Sequence, residues 1–312
     1  MDNNIMEIIQ NVGTYIQPAL SSAIGVLFTT LFVKKNSKDS EFEKIKAGKF
    51  NDAINELLTS GKMSYYEYYK CNNFLKVAKL ADRELEERAM NNLQNESAEN
   101  TFEFDWFMRF FDSVGSISNE DMQKLWAKIL AGEIQEPGSF SLRTLETIRN
   151  MTTNEAKILN EAAEIALYET DGNIFLFFSS DDDDDYEDVN IQYEFGSLKM
   201  LVLEECGLLN GMWLDNIVEF SDIPVYGIYN ENILLEITCD SDSLTITYKS
   251  YAFTETAKQL FSVIKASSNN NYLLDLGRSL QRKYSEINVK AYKINCISDQ
   301  NLDYDKDINL LE

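Results

Sequence analysis

The chain has 312 residues, of which 44% are hydrophobic and 12% aromatic, a composition that can fill a sizeable core. Its 52 acidic and 28 basic residues give a formal net charge of −24, which disfavours direct contact with nucleic acid phosphates or anionic lipid headgroups. It contains no histidine, which excludes Ser-His-Asp and Cys-His nucleophile systems and most catalytic zinc sites. The composition therefore favours a binding or regulatory protein over an enzyme.

The negative charge is concentrated towards the carboxy-terminal end of the chain. Residues 1–100 hold 14 acidic and 12 basic residues, whereas residues 171–312 hold 26 acidic and 10 basic residues, for net charges of −2 and −16. Because long-range attraction requires opposite charge, a partner attracted by the carboxy-terminal half should be basic or a cation. Direct nucleic-acid binding by that half is therefore not expected.

The residue patterns that build metal and cofactor sites are missing from the sequence. Cys71, Cys206, Cys239 and Cys296 have no short spacing between any two, which excludes a CxxC-type zinc or redox site and favours single thiols in a reducing cytoplasm. The glycines form no Walker-type or dinucleotide-binding loop. We therefore predict no catalytic residue, no metal ligand and no cofactor.

Residues 1–37 are predicted to form a separate apolar helical segment. No charged residue lies between Glu7 and Lys34, and residues 16–33 are about as long as a bilayer-spanning helix. Three interpretations remain open: a soluble helix that allows a homo-oligomer through residues 5–33, a membrane span, and a peripheral membrane anchor. If the segment spans the bilayer, the positive-inside rule applied to the lysines that follow it places the remainder of the chain in the cytoplasm. The predicted location is cytoplasmic, with association with the inner membrane as the alternative.

Residues 38–168 are predicted to form a helical domain. A first helix covers residues 38–60, and a capping box of Ser64 and Glu67 opens a long second helix that ends near Leu93. The remaining boundaries are an aromatic helix start at residues 102–111, an N-cap at Ser118, a stop at Gly132, a start at Ser139 or Ser141 and an N-cap at Thr152.

Three stretches of this domain carry a resemblance to a known family. They are Phe-Asp-Trp-Phe-Met-Arg-Phe-Phe at residues 104–111, the helix with Leu-Trp-Ala-Lys-Ile-Leu-Ala-Gly-Glu at residues 125–133, and Pro-Gly-Ser-Phe-Ser-Leu-Arg-Thr-Leu-Glu at residues 137–146. Together they resemble the bacterial domain of unknown function 2806 family, most strongly over residues 102–168. Because the family is named for lacking a function, the resemblance implies bacterial origin and architecture but no chemistry.

The same domain carries a candidate interaction face made of basic and polar side chains. The loop at residues 137–141 also precedes a helix start, where free amides can hold an anion. A structural interpretation is favoured over both, with Trp126 and Phe140 as core anchors, the serines as helix caps and the arginines solvated or ion-paired. The candidate residues are Arg109, Lys124, Lys128, Ser139, Arg143 and Arg149, with Glu133 and Glu146 beside them.

Residues 169–312 are predicted to form an acidic α+β domain. A strand at residues 173–179 runs into the acidic run from Asp181 to Asp185, where the spacing and the missing glycine exclude an EF-hand. Repulsion between these like charges favours a solvated loop, with an adventitious cation site and contact with a basic partner as the alternatives. The later elements are a helix at 196–205, strands at 217–220, 225–229, 233–238 and 244–248, a helix capped by Thr254, a helix at 272–287, a strand at 289–297 and an acidic tail.

The last two of the four central strands are predicted to form a hairpin through the polar turn at residues 239–243. With the flanking helices, this hairpin gives a winged-helix-like arrangement. Winged helices often bind DNA, but this one lacks the basic helix face that such binding requires, so it is better suited to a protein partner.

The sequence as a whole predicts an α+β protein with a mainly helical amino-terminal half and a mixed, winged-helix-like carboxy-terminal half. The predicted function is that of a non-enzymatic bacterial interaction or regulatory protein with a protein partner, in a defence or stress system by family analogy. One alternative is a membrane-associated effector that acts through its amino-terminal apolar helix. The other is a metal-dependent hydrolase that uses carboxylates.

Overall fold

The chain divides into two compact units, Met1–Arg149 and Asn150–Glu312. The division precedes the boundary predicted at residue 168. The apolar segment at residues 1–37 and the acidic run from Asp181 to Asp185 lie outside the described residues. The computed structural model describes residues 52, 55–56, 58–91, 103–169, 172–179, 192–212, 214–221, 223–239, 244–264, 266–298 and 301–311.

The described part of the first unit is helical. Phe110 on the second helix lies at the centre of its core, where its ring stacks on Trp106 at 5.1 Å and meets the edge of Trp126 at 5.4 Å. Each such side chain, when fully buried, contributes roughly 1.5–3 kcal/mol to the free energy of folding. The helices are α1 (Tyr65–Asn91), α2 (Phe104–Gly115), α3 (Glu120–Gln135) and α4 (Leu142–Asn150).

Local capping signals place the helix starts well. The predicted capping box of α1 is present, because the Ser64 N–H donates to the Glu67 carboxylate at 2.7 Å and the Glu67 N–H donates to the Ser64 hydroxyl at 3.2 Å. The predicted N-cap at Ser118 is wrong by one residue. The Asn119 side-chain oxygen accepts from the N–H groups of Asp121 and Met122, both at 3.0 Å, so the carboxamide caps α3.

Gly132 does not end its helix, contrary to the sequence prediction. Helix α3 continues to Gln135, and Gly132 lies where the buried ring of Phe140 crosses the helix. A Cβ atom at this position would lie 2.7 Å from Cε2 of Phe140. The glycine is therefore needed for close packing rather than for a helix stop.

The second unit is built on an eight-stranded sheet in which every neighbouring pair of strands is antiparallel. The α+β class with a helical first half is confirmed. The strands are β1 (Leu167–Glu169), β2 (Ile174–Ser179), β3 (Leu214–Glu219), β4 (Val225–Tyr229), β5 (Ile233–Cys239), β6 (Thr245–Ala252), β7 (Ile287–Ser298) and β8 (Asn301–Asp305), in the spatial order β3-β6-β2-β1-β4-β5-β7-β8.

The helices of this unit begin at side-chain caps, and one of them covers part of the sheet. The capping box of Thr152 with Glu155 and the N-cap at Thr254 are present as predicted. Gly277 brings its helix close to β5, because a Cβ there would lie 3.1 Å from Cδ2 of Leu235. The helices are α5 (Thr153–Ile165), α6 (Ser197–Glu205), α7 (Glu255–Phe261) and α8 (Asn270–Lys283).

The predicted hairpin between β5 and β6 is wrong. Strand β5 pairs with β4 and β7, whereas β6 pairs with β3 and β2, so the two strands are not neighbours in the sheet. The predicted acidic tail also contains a strand, since β8 pairs with β7. Without this hairpin, the winged-helix-like arrangement predicted for the carboxy-terminal half is not confirmed.

We expect Gly132→Ala to destabilise the protein by about 1–2 kcal/mol through overpacking, although alanine has the higher helix propensity. Phe140 cannot swing away, because its ring is buried and its backbone N–H and C=O are both hydrogen-bonded to side chains. Urea unfolding followed by circular dichroism measures the effect. Combining Gly132→Ala with Phe140→Leu should recover part of the loss, and a stabilised Gly132→Ala variant would contradict the packing argument.

Candidate functional site

The basic residues predicted to form an interaction face lie on several helices of the first unit. Arg109 Nη1 lies 3.0 Å from Glu146 Oε1, and Arg149 Nη1 lies 3.9 Å from Glu146 Oε2, so this carboxylate gathers two arginines. Lys124 Nζ pairs locally with Asp121 at 2.9 Å. Exposed pairs of this kind contribute roughly 0–1 kcal/mol to stability. A binding role for these residues stays a prediction.

The other three predicted residues are distributed along the same segment. Arg143 is exposed near the start of α4, and Lys128 is half-buried on α3. The Ser139 hydroxyl donates to the backbone oxygen of Glu136 at 2.5 Å, so it stabilises the turn after α3 rather than capping α4. Ser141 has the capping role, because its Oγ accepts from the Thr144 N–H at 3.2 Å.

The loop that the sequence suggested as an anion site is occupied by the protein's own carboxylate. Glu133 is 2% exposed, and its two carboxylate oxygens accept the N–H groups of Gly138 at 2.7 Å and Phe140 at 3.0 Å. Burial raises the pKa of the Glu133 carboxyl, and the two amide donors oppose that rise. The two amides are therefore already satisfied by an internal anion.

The same loop is held from its other side by an indole. Trp106 Nε1 donates to the backbone oxygen of Phe140 at 2.6 Å, and the ring of Phe140 covers Gly132. The most distinctive residues of the amino-terminal unit thus build one loop and its contacts. The contacts of Trp106, Glu133 and Phe140 give these three residues a structural role in the loop.

We expect Glu133→Gln to lower the free energy of unfolding by about 1–3 kcal/mol, because one loop N–H would then face the carboxamide NH₂ and lose its acceptor. Glu136→Gln is the matched control, since Glu136 is exposed three residues further along and should change stability by less than about 0.5 kcal/mol. Thermal or urea unfolding of both variants measures the difference. Equal stability of the two would show that the loop does not depend on this carboxylate.

A cavity of about 650 Å³ lies in the second unit beside β1 and the turn between β4 and β5. Apolar side chains form part of its wall, including Ile174, Phe261 and Ile264. The cavity is open to one side, and its volume lies within the range of small-molecule sites. Its polar lining residues are Tyr168, Glu231, Asn232, Lys258, Ser262 and Ser267.

Tyr168 is the aromatic residue that β1 contributes to this cavity. Its ring stacks on Tyr229 of the neighbouring strand, with centroids 5.5 Å apart. Burial raises the pKa of Tyr168 to about 12, and the negative charge of Glu231 and the neighbouring Tyr229 add to the rise. The hydroxyl therefore stays protonated at neutral pH and can donate a hydrogen bond.

The cavity residues come from separate parts of the chain. Tyr168 lies on β1, Glu231 lies in the turn before β5, and half-buried Lys258 lies on α7. Nothing in their spacing along the sequence indicates that they share a site, and the sequence analysis did not identify them. The sheet order, which brings β4 next to β1, unites the first two.

A second cluster of polar side chains, formed by Glu169, Tyr226 and Tyr248, lies on the sheet and was not predicted from the sequence. The Tyr248 hydroxyl donates to Glu169 Oε1 at 2.7 Å, and the Tyr226 hydroxyl contacts both partners. Burial raises the pKa of Tyr248, which is 2% exposed. The three groups satisfy one another inside the fold, which gives them a structural role.

In the part of the chain that the structure describes, no helix has the length and hydrophobicity needed to cross a bilayer. Within the same ranges, no group of three or more cysteine, aspartate or glutamate side chains is arranged to hold a metal ion.

The family model described as protein of unknown function (DUF2806) matches residues 83–277, which is most of the chain. This match confirms the resemblance carried by residues 102–168 and extends it into both compact units. No curated protein and no solved structure shows a significant match.

Proposed function

We propose a regulatory, non-enzymatic function for this chain, which belongs to the DUF2806 family of proteins of unknown function. In this proposal the second unit binds a small zwitterionic molecule, such as an α-amino acid with an apolar side chain, in the cavity beside Tyr168. The observation that carries it is the presence of one cationic and one anionic side chain, Lys258 and Glu231, in the same partly apolar cavity.

Lys258 supports the anionic part of such a ligand. It is half-buried on α7, in a region where residues 171–312 hold 26 acidic and only 10 basic residues. A positive charge in a negatively charged region is a local attractor for a carboxylate, and the hydroxyls of Ser262 and Ser267 line the same cavity. Residues 171–312 are predicted to attract cations, but in this proposal Lys258 attracts the anionic group of the ligand.

Glu231 and the apolar wall support the remainder of the ligand. The carboxylate of Glu231 suits an ammonium group, and Phe261, Ile174 and Ile264 offer apolar surface to a side chain. Tyr168 adds a hydrogen-bond donor, because its raised pKa of about 12 keeps its hydroxyl protonated.

The cavity is connected to a helix of the same unit, which supports a regulatory role. The Asn232 carboxamide, in the turn that lines the cavity, donates to the Asn270 side-chain oxygen at 3.1 Å at the start of α8. Ligand binding at the turn can therefore change the position of a helix that packs on β5. A protein partner that recognises this change would complete the proposed regulatory function.

Isothermal titration with L-leucine and L-phenylalanine tests the proposal, with 3-phenylpropanoate and phenethylamine as phenylalanine analogues that each lack one charged group. The amino acids should bind, and each analogue should bind more weakly. Lys258→Met and Glu231→Gln should each weaken binding about 10- to 100-fold, the usual effect of losing a charge-assisted hydrogen bond.

Lys290→Met is the matched control, because Lys290 is an exposed lysine on β7 outside the cavity lining. It should leave the affinity unchanged. Absence of binding by every amino acid, or an affinity that Lys258→Met does not change, would contradict the proposed ligand class.

A further inference from the structure

Strand β3 forms one edge of the eight-stranded sheet. It pairs with β6 along its whole length, from Leu214 with Ser250 to Glu219 with Thr245. Among the described residues, no strand pairs with its other side. An edge of this kind presents backbone N–H and C=O groups that can accept a further strand.

Strand β3 and its surroundings expose several apolar side chains between acidic ones. Ile217 is 60% exposed and Leu214 is 49% exposed, while Met212 before the strand is 76% exposed. Natural proteins usually protect sheet edges with lysine or proline, and the sequence of β3, Leu-Asp-Asn-Ile-Val-Glu, contains neither. The edge therefore has no lysine, proline or bulge, and the charges that the strand carries are those of Asp215 and Glu219.

The opposite edge of the sheet is formed by β8, which is followed directly by Lys306. The Lys306 side chain pairs with Glu236 of β5 at 3.4 Å, and the Leu310 N–H donates to the backbone oxygen of Ala291 on β7 at 2.8 Å. Strand β3 differs from β8 in the exposed apolar side chain at its middle, Ile217.

The side chains of β3 define which strand would fit. Asp215, Ile217 and Glu219 alternate along the strand and therefore project from one face of the sheet, and all three are exposed. A strand added to this edge places its own alternating side chains directly beside them. Asp215 already lies opposite Lys249 of β6, whereas Glu219 lies opposite Thr245 and Ile217 opposite Thr247. The complementary pattern is a basic residue, an apolar residue and a basic residue at alternating positions, with the basic residue beside Glu219 contributing most.

We propose that β3 is a docking edge for an extended segment of a protein partner with the pattern basic-x-apolar-x-basic. Main-chain hydrogen bonds to the free edge provide binding, and Asp215, Ile217 and Glu219 provide the selection. This surface goes beyond the proposed ligand cavity, and either can fail without the other.

A second copy of the chain fits this edge poorly. An antiparallel pair of β3 strands that sets Ile217 against its counterpart also sets Asp215 of each copy against Glu219 of the other. Like charges directly opposite in a sheet are destabilising, and each chain carries a net charge of −24. The charge pattern therefore favours a basic partner over self-association.

Fluorescence anisotropy of labelled ten-residue peptides with the full chain tests the proposal. One peptide contains Lys-Thr-Val-Thr-Lys, a second contains Glu-Thr-Val-Thr-Glu, and a third is the first peptide with N-methyl groups on all five of these residues. The third keeps the side chains and the charge, but none of these residues can donate the main-chain hydrogen bonds that Asp215, Ile217 and Glu219 would accept. At 150 mM salt the first should bind at least about tenfold more tightly than the other two, a difference of about 1.4 kcal/mol.

Two variants of β3 test where the peptide binds. Ile217→Lys should weaken binding of the first peptide about tenfold or more, and its exposure makes misfolding a minor concern. Asp215→Lys combined with Glu219→Lys should reverse the preference between the first and second peptides. The matched control is Asp303→Lys combined with Asp307→Lys, which adds the same charge at and just after β8 and should preserve the order of affinities.

Three outcomes would overturn the proposal. Equal affinity of the first and third peptides would show that main-chain hydrogen bonds do not contribute and that binding is nonspecific charge attraction. Loss of binding in the β8 control equal to that in the β3 variants would place the peptide elsewhere. A dimer in sedimentation velocity that Ile217→Lys dissociates would identify a second copy as the occupant.

Discussion

The loop between α3 and α4 depends on a buried carboxylate that is satisfied by the protein's own backbone. Glu133 accepts two loop N–H groups, and Trp106 donates to the same loop at Phe140. These bonds hold the Phe140 ring over Gly132, which in turn fixes how closely the loop approaches α3. Because the loop amides of Gly138 and Phe140 and the Phe140 carbonyl are all bonded internally, this part of the sequence pattern has a structural explanation.

The sequence was sufficient to predict helix starts where the stabilising contact joins residues close together in the chain. The capping boxes at Ser64 and Thr152 each involve two residues three positions apart, so the sequence contains the whole interaction. Gly132 was misassigned because the contact that requires it comes from Phe140, and the hairpin between β5 and β6 was wrong because strand order depends on the whole sheet. The α+β class was predictable from periodicity, whereas the pairing of strands was not.

The same distinction explains the sites. The basic residues Arg109 and Arg149 were identifiable by type, but the structure shows that Glu146 pairs with both. The cavity unites Tyr168, Glu231 and Lys258 only because β1 lies beside β4 and α7 packs nearby, and residue type alone gives no sign of it. Sequence analysis therefore finds candidate charges, whereas the fold decides which of them share a cavity.

The acidic surplus constrains how either proposed site can be selective. Residues 171–312 carry a net charge of −16, from 26 acidic and 10 basic residues, so this half attracts any cation at long range. Long-range attraction speeds encounter but distinguishes poorly between cations, and salt screens it within about 10 Å. Selection must therefore come from short-range contacts: main-chain pairing along β3, and the combination of Lys258 with Glu231 in the cavity. Lys258 is the more discriminating of these features, because an anionic group reaches it against the general field and only a ligand that also satisfies Glu231 gains from both.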